Sequence, residues 1–444
     1  MRRGPQFTRR QFVAGSTVAA VAPYFITRHS SANVVTSTAA NDKIQVALIG
    51  ANGQGNWNLD NLLKEPACKV IAVCEVWKER LESTLAKVPG ARGHHDFREV
   101  LARKDIDAVL IATTPHWHAY MAVAAAEAGK DFYLEKPMSL YPAESLAIKR
   151  AVETHKCITQ IGTQIHSTPH YHRMVDLVRS GLLGKISVVR THNVQNLGPE
   201  GIGNPPVGDP PAGLDVDLWC GPAPLWYHPL LVKNASLHCS FMNYTNGWTP
   251  GMAPHIIDLP YWALDLPVPS RISASGGRYV LQDCGDCYDT HEVLWQYPNM
   301  TMTWTTSLVN GYAFELKGPG GVRRPLGIWF HGVNGTLVTD YVDHKLIPEG
   351  DRMPGNPNWP KVVPDSPGHH REWLDGIRTR KPPCCHVGYH YRIDLAIALS
   401  VLALKLGRSI QFDPKAEKIV GDEEAAKKSV PEYRSPWKFP AHYS

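Results

Sequence analysis

The stretch Ile44-Gln45-Val46-Ala47-Leu48-Ile49-Gly50-Ala51-Asn52-Gly53-Gln54-Gly55 decides how the chain is read. Its first six residues make a short apolar strand that runs straight into a glycine-rich turn, and a helix is expected from about residue 57 to 64. Such a unit suits a phosphate. Glycines let the backbone come close, and the start of the helix offers unpaired N–H groups and a positive dipole end. Gly50, Asn52, Gly53 and Gly55 are the candidate loop residues, with Asn52 standing where the pattern G-x-G-x-x-G has its middle glycine. The next apolar run ends at Glu75, 25 residues beyond Gly50, near the point where a carboxylate takes the ribose hydroxyls of a dinucleotide. A carboxylate there favours NAD over NADP, whose 2′-phosphate it repels.

Working outward, strand-like runs at 108–112 and 132–134 alternate with helical patterns at 118–128 and 142–154. That alternation predicts an α/β unit with a doubly wound parallel sheet. From residue 184 the pattern changes to longer alternating stretches, at 185–193, 271–281, 292–297 and 300–307, which predict a largely antiparallel sheet. Between them, 197–214 is rich in Gly and Pro and is expected to be a loop over the active site.

A chain of 444 residues exceeds one ordinary core, so two domains are expected after a leader: 1–40, 41–165 and 166–444. The 43% hydrophobic and 20% charged content is that of a soluble globular protein, and a net charge of +5 with scattered basic residues argues against nucleic-acid binding. Nine cysteines spread through apolar segments, among them Cys68, Cys74 and Cys157, read as buried free thiols. The leader begins basic and continues with the apolar run Val13 to Phe25, too short to span a membrane. Thr8-Arg9-Arg10-Gln11-Phe12-Val13 resembles a twin-arginine signal, so an exported, periplasmic protein without a membrane span in its mature form is expected, cut after Ala32 or Ala39-Ala40.

Leu134-Glu135-Lys136-Pro137, at the end of a strand, resembles the E-K-P signature of the Gfo/Idh/MocA family, named for glucose-fructose oxidoreductase and inositol dehydrogenase. Thr114-Pro115-His116-Trp117-His118, Gly162-Thr163-Gln164 and Leu218-Trp219-Cys220-Gly221-Pro222 are similar to that family as well, and Phe412-Asp413-Pro414 with Gly421-Asp422-Glu423-Glu424-Ala425 resemble its secreted members. The resemblance implies an N-terminal Rossmann domain and a C-terminal α+β domain with a large, mostly antiparallel open sheet whose exposed face supports a homodimer or homotetramer. It implies NAD(P)-dependent hydride transfer at a sugar or polyol hydroxyl, with tightly held NAD. Gly50, Asn52, Gly53, Gly55 and Glu75 would hold the adenosine diphosphate, while Thr114, Pro115, Trp117, His118, Glu135, Lys136 and Gln164 would lie toward the nicotinamide ribose and ring.

By the same resemblance the run Gly251 to Asp258 occupies the place of a D-x-x-x-H-x-x-D helix, with His255 as acid/base partner of Lys136. Gly251 stands where the first aspartate belongs. Lys136, His255, Asp258 and Tyr244 are therefore the candidate substrate contacts, Asp258 or Tyr244 standing in for the missing carboxylate. The gap leaves two other readings open: a redox-neutral glycosidase or epimerase, and a non-catalytic sugar-binding protein. No metal site is expected in the chain; Cys284 and Cys287 have C-x-x-C spacing but lack a second pair. His94, His95, His170, His172, His369 and His370 read as surface or helix-start residues, Tyr389, His390 and Arg392 as the opening of a helix ending near Leu406, and 415–428 as a solvated face.

Overall fold

The computed structural model describes residues 43–312, 314–315, 323–355 and 357–443; the expected signal and cleavage positions lie outside them. Six strands, β1 (Ile44–Ile49), β2 (Cys68–Cys74), β3 (Arg92–His94), β4 (Ala108–Ile111), β5 (Asp131–Glu135) and β6 (Thr159–Gly162), form a parallel sheet in the order β3-β2-β1-β4-β5-β6. The order reverses between β1 and β4, and in open α/β sheets the crevice beyond the strand ends at that point takes the ligand. Residues 108–111 are all buried, which is why this strand reads as an unbroken apolar run.

The helices of this half are α1 (Gly53–Leu62), α2 (Lys78–Leu85), α3 (Phe97–Ala102), α4 (His118–Glu127) and α5 (Pro142–His155). Helix α1 begins four residues earlier than expected, because the Gly55 N–H already bonds the Asn52 carbonyl at 2.7 Å and makes the glycine turn part of the helix.

The second half holds β7 (Ile186–Val194), β8 (Arg271–Gly277), β9 (Thr290–Gln296), β10 (Thr301–Ser307), a short hairpin of β11 (Phe314–Glu315) and β12 (Arg323–Arg324), then β13 (Leu326–Gly332), β14 (Gly335–Thr339), β15 (His344–Pro348), β16 (Ile410–Asp413) and β17 (Lys418–Ile419). Nine of them make one sheet, β15-β14-β13-β7-β10-β9-β8-β16-β17, antiparallel except where β7 meets β10. Along β9, His291, Val293 and Trp295 are buried while Glu292, Leu294 and Gln296 are exposed, so one face carries the helices and the other meets solvent.

Four later helices join the halves: α6 (Pro169–Arg179), α7 (Trp248–Leu264), α8 (His369–Thr379) and α9 (Val387–Leu406). Helix α9 is long and apolar enough to cross a membrane, yet it packs against α5, α7 and β8 and is apolar all round because it is core. Trp373, Leu374 and Ile377 of α8 complete the core on one face of the first sheet with Val46, Leu48, Leu110 and Tyr133. Residues 42–444 accordingly form one compact unit, with C-terminal helices built into the N-terminal sheet. His369 and His370 do start a helix, but both are buried rather than at the surface, His370 stacking on Tyr133 at 5.3 Å; His172 near the start of α6 is buried too. The 197–214 segment is irregular, as expected, and its far end docks on the residues after β2, where Lys78 N–H bonds the Gly213 carbonyl at 3.0 Å and the Trp77 indole bonds the Ala212 carbonyl at 3.2 Å.

Candidate active site

Gly50 has φ +93, and a Cβ there would lie 2.6 Å from the Ala112 carbonyl oxygen; one at Gly55 would lie 2.0 Å from the Gly50 carbonyl oxygen. Both glycines are demanded by backbone packed against backbone. Gly53, at φ +38, faces open space. The loop is thus closed behind and open in front, a cradle that a pyrophosphate fits, with the α1 N-terminus beneath it. Glu75 sits at the end of β2, and its carboxylate accepts the N–H groups of Ala51 (2.8 Å) and Trp77 (3.1 Å). Burial raises its pKa while these N–H bonds oppose the rise. Its place beside the loop fits a ribose.

Beyond β4, Pro115 to Trp117 form a short turn. The Trp117 indole donates to the Leu218 carbonyl at 3.0 Å, the His116 ring meets the Trp219 carbonyl at 3.1 Å, and Gly221 lies flush on the Trp117 ring, where a Cβ would come within 2.1 Å. The two motifs that lie a hundred residues apart in the sequence are therefore one interface. From the C-terminal end, Trp437 packs on Trp117 at 4.7 Å and Arg434 bonds the Gly221 carbonyl at 3.0 Å.

Glu135, 4% exposed, accepts the amides of Asn58 and Gln164, each at 2.8 Å, and burial raises its pKa. It braces α1, β5 and the turn after β6. Thr114 and Gln164 are half-buried around it. Lys136 follows, at the head of a turn with a cis bond to Pro137. That turn is gripped twice: the His118 ring contacts the Pro137 carbonyl at 2.7 Å, and Asp394 accepts the Met138 N–H at 2.9 Å. Burial holds the His118 ring down at about 4, so it is neutral.

The Lys136 ammonium donates to the Gly251 carbonyl at 3.1 Å, one helical turn ahead of His255. His255 is half-buried, and its ring nitrogens have no hydrogen-bond partner among the described residues. Burial, and then the Lys136 charge, push its pKa well below the usual imidazole value, so the ring is neutral. Gly251 itself is covered by Cys239, whose sulfur would lie 2.3 Å from any Cβ placed there. Burial raises the Cys239 thiol to about 11, and Lys136 is the charge that opposes this. A neutral thiol thus fills the room of a side chain at position 251.

The structure brings Gly50, Asn52, Gly55 and Glu75 together around the glycine turn, joins Glu135 to Gln164 and Lys136 to the helix that bears His255, and buries Trp117 and His118 against Leu218 and Pro137. Tyr244 and Asp258 fall elsewhere than expected. Tyr244 is fully buried in a satellite core, bonded to the Trp226 carbonyl and edge-on to His116 at 4.9 Å. Asp258, also fully buried, is held by His166 at 2.8 Å and the Tyr389 hydroxyl at 2.6 Å. Sequence reading missed the buried string Asp394–His390–Thr163, with contacts of 2.5 and 2.8 Å, which ties the Lys136 turn to the segment before Gln164. Its signal was present: a His and an Asp four apart inside an otherwise apolar helix.

These features define an α/β protein with a parallel Rossmann-like sheet, a glycine turn at the end of its first strand, and a second, large and mostly antiparallel sheet. A model of the oxidoreductase family Gfo/Idh/MocA describing its NAD-binding Rossmann fold matches residues 44–163, and the model of that family's C-terminal alpha/beta domain matches residues 341–439. Both ends of the described chain thus match the Gfo/Idh/MocA family, and 44–163 matches its NAD-binding Rossmann domain. Similar curated proteins include the scyllo-inositol 2-dehydrogenase (NAD(+)) of Bacillus subtilis, 31% identical over 32% of this chain and 42% of that protein. Another is a glycosyl hydrolase family 109 protein of Shewanella putrefaciens, 26% identical over 40% of this chain and 44% of that protein. The matched part spans less than half the length of these relatives. Among solved structures, a levoglucosan dehydrogenase in complex with NADH and levoglucosan shares the fold with a TM-score of 0.59 and 18% identity, over 83% of this chain and 99% of that one. GenD2 from gentamicin A biosynthesis, in complex with NAD, does so with a TM-score of 0.61 and 16% identity, over 86% and 100%.

Proposed function

We propose that the protein is an NAD-dependent oxidoreductase that acts on a hydroxyl of a sugar or polyol. The observation that carries this reading is the Lys136 ammonium on the Gly251 carbonyl, 3.1 Å away, which sets the lysine at the end of the nucleotide-binding sheet against the helix bearing His255. Bound in the crevice, the nicotinamide would accept a hydride from the carbon that bears the hydroxyl. Lys136 would hold that hydroxyl oxygen by hydrogen bond, and the neutral His255 would take its proton. The relatives named for inositol and levoglucosan support a polyhydroxylated substrate.

A second reading rests on Gly251. A neutral thiol and a carbonyl stand in place of a carboxylate beside Lys136, a departure that leaves room for a different reaction, and the family 109 glycosyl hydrolase relative supports redox-neutral cleavage or epimerisation. Export through the leader and association through the solvent-facing side of the nine-stranded sheet belong to the same proposal. The test is to acid-denature purified protein, quantify the nucleotide released, and then offer inositols, levoglucosan and nitrophenyl pyranosides. NADH formation supports oxidation; a released nitrophenol with deuterium taken from solvent beside the reacting carbon supports the redox-neutral cycle. A chain that neither carries nor binds NAD(H) defeats both.

A further inference from the structure

One turn along α7 from His255, three donors of different chemistry converge. They are the ring of His166 on the turn Gln164–Ser167, the Asp258 carboxylate, and the thiol of Cys385 just ahead of α9. Their ligand atoms all lie within 4.8 Å of one another, and none of the three residues is more than 1% exposed. His166 Nδ1 stands 2.8 Å from Asp258 Oδ2, while His166 Nε2 is buried without a hydrogen-bond partner. Trp262 stacks on the imidazole at 3.9 Å and fixes its plane; the Tyr389 hydroxyl fixes the carboxylate. As a hydrogen-bonded pair alone, this arrangement leaves a buried thiol beside a buried carboxylate, which costs stability.

We propose that His166, Asp258 and Cys385 form a buried zinc site that ties the first sheet to α7 and α9. Nitrogen, oxygen and sulfur donors bind zinc at about 2.0–2.3 Å, which puts neighbouring ligand atoms about 3–4 Å apart; here all three lie within 4.8 Å of one another, with His166 and Asp258 at 2.8 Å. One thiolate and one carboxylate neutralise a divalent ion, as a site without water requires. On binding, the Cys385 thiol proton and the proton shared by His166 and Asp258 leave to solvent. Tyr389 orients the ligating carboxylate from outside. Cys384, close enough to act on the His166 ring, is the nearest further sulfur donor. The inference is independent of the redox chemistry and departs from the expectation, drawn from the sequence, that the chain holds no metal.

Elemental analysis of the purified full chain, dialysed without chelator, should give about one zinc per chain, and X-ray absorption at the zinc edge a mixed shell with sulfur at about 2.3 Å. Cys385→Ser and His166→Gln should lose most of it. Chelator-treated wild type should melt at a higher temperature once zinc chloride is returned. Less than about a tenth of an equivalent with no melting shift on adding zinc overturns the proposal. So does wild-type zinc content in a Cys385→Ser variant with an unchanged circular-dichroism spectrum. Should that variant fail to fold, a zinc shell without sulfur in the wild type overturns it equally.

Discussion

The two ends of the crevice are built in different ways. At the phosphate end, strand, turn and helix come from one continuous run, Ile44 to Leu62, with Glu75 added from the next strand. At the Lys136 end, nothing is continuous: the turn after β5 meets a carbonyl on α7, a carboxylate on α9 and a ring on α4. The first end is held by backbone sterics, the second by side chains, two of which reach across more than a hundred residues. A local device survives changes elsewhere in the fold, whereas an assembled one depends on every element that feeds it.

Lys136→Met gives the sharpest contrast, since it removes the assembled chemistry and leaves the local loop alone. It should lower turnover by about a thousandfold or more, with NADH affinity within a few-fold of wild type by fluorescence titration. Loss of both together would mean that the two ends are not separable. Next in size, Gly50→Ala forces a Cβ against the Ala112 carbonyl at a positive φ and should cost about 2–4 kcal/mol in urea unfolding. Gly53→Ala, facing open space, should cost about 1 kcal/mol or less and weaken nucleotide binding instead. Equal losses from the two would remove the argument that only one of them is packed against backbone.

The difference between the ends also explains what was legible. The loop, Glu75 and the alternation of strand and helix follow from short-range rules, and β1, β2, β4, β5, β7, β9 and β10 fall where periodicity puts them, whereas the short β3 and β6 give no such signal and β8 ends at Gly277, four residues earlier than expected. Tyr244 and Asp258 were misplaced because helix spacing tells which residues share a face, not what that face meets. Cys239 was invisible for the same reason: its place over Gly251 exists only once two loops have folded together.

Asp394→Asn tests the assembled end more gently. The isosteric amide can still accept the Met138 N–H but reverses the hydrogen bond to His390, so turnover should fall about 10- to 100-fold at unchanged NADH affinity and nearly unchanged melting temperature. Parallel loss of stability and binding would make the string structural only. The smallest effect concerns Glu144, whose carboxyl accepts two N–H groups at the start of α5 and the Tyr433 hydroxyl. Burial raises it to about 7. A carboxyl raised in the folded state favours folding at acid pH, and that contribution is lost as pH rises from the ordinary 4.5 through 7. Glu144→Gln should therefore flatten the decline in unfolding free energy over that window by on the order of 1–2 kcal/mol, read from urea titrations at several pH values.

Trp437 on Trp117 and Arg434 on Gly221 place residues near the C-terminal end of the sequence against a turn that leaves the fourth strand of the first sheet. In the order of synthesis, the N-terminal half can close its phosphate loop early, but the wall around Trp117 stays unfinished until those residues emerge from the ribosome. A grip on the whole dinucleotide is in this way complete only once residues from both halves of the chain have been made.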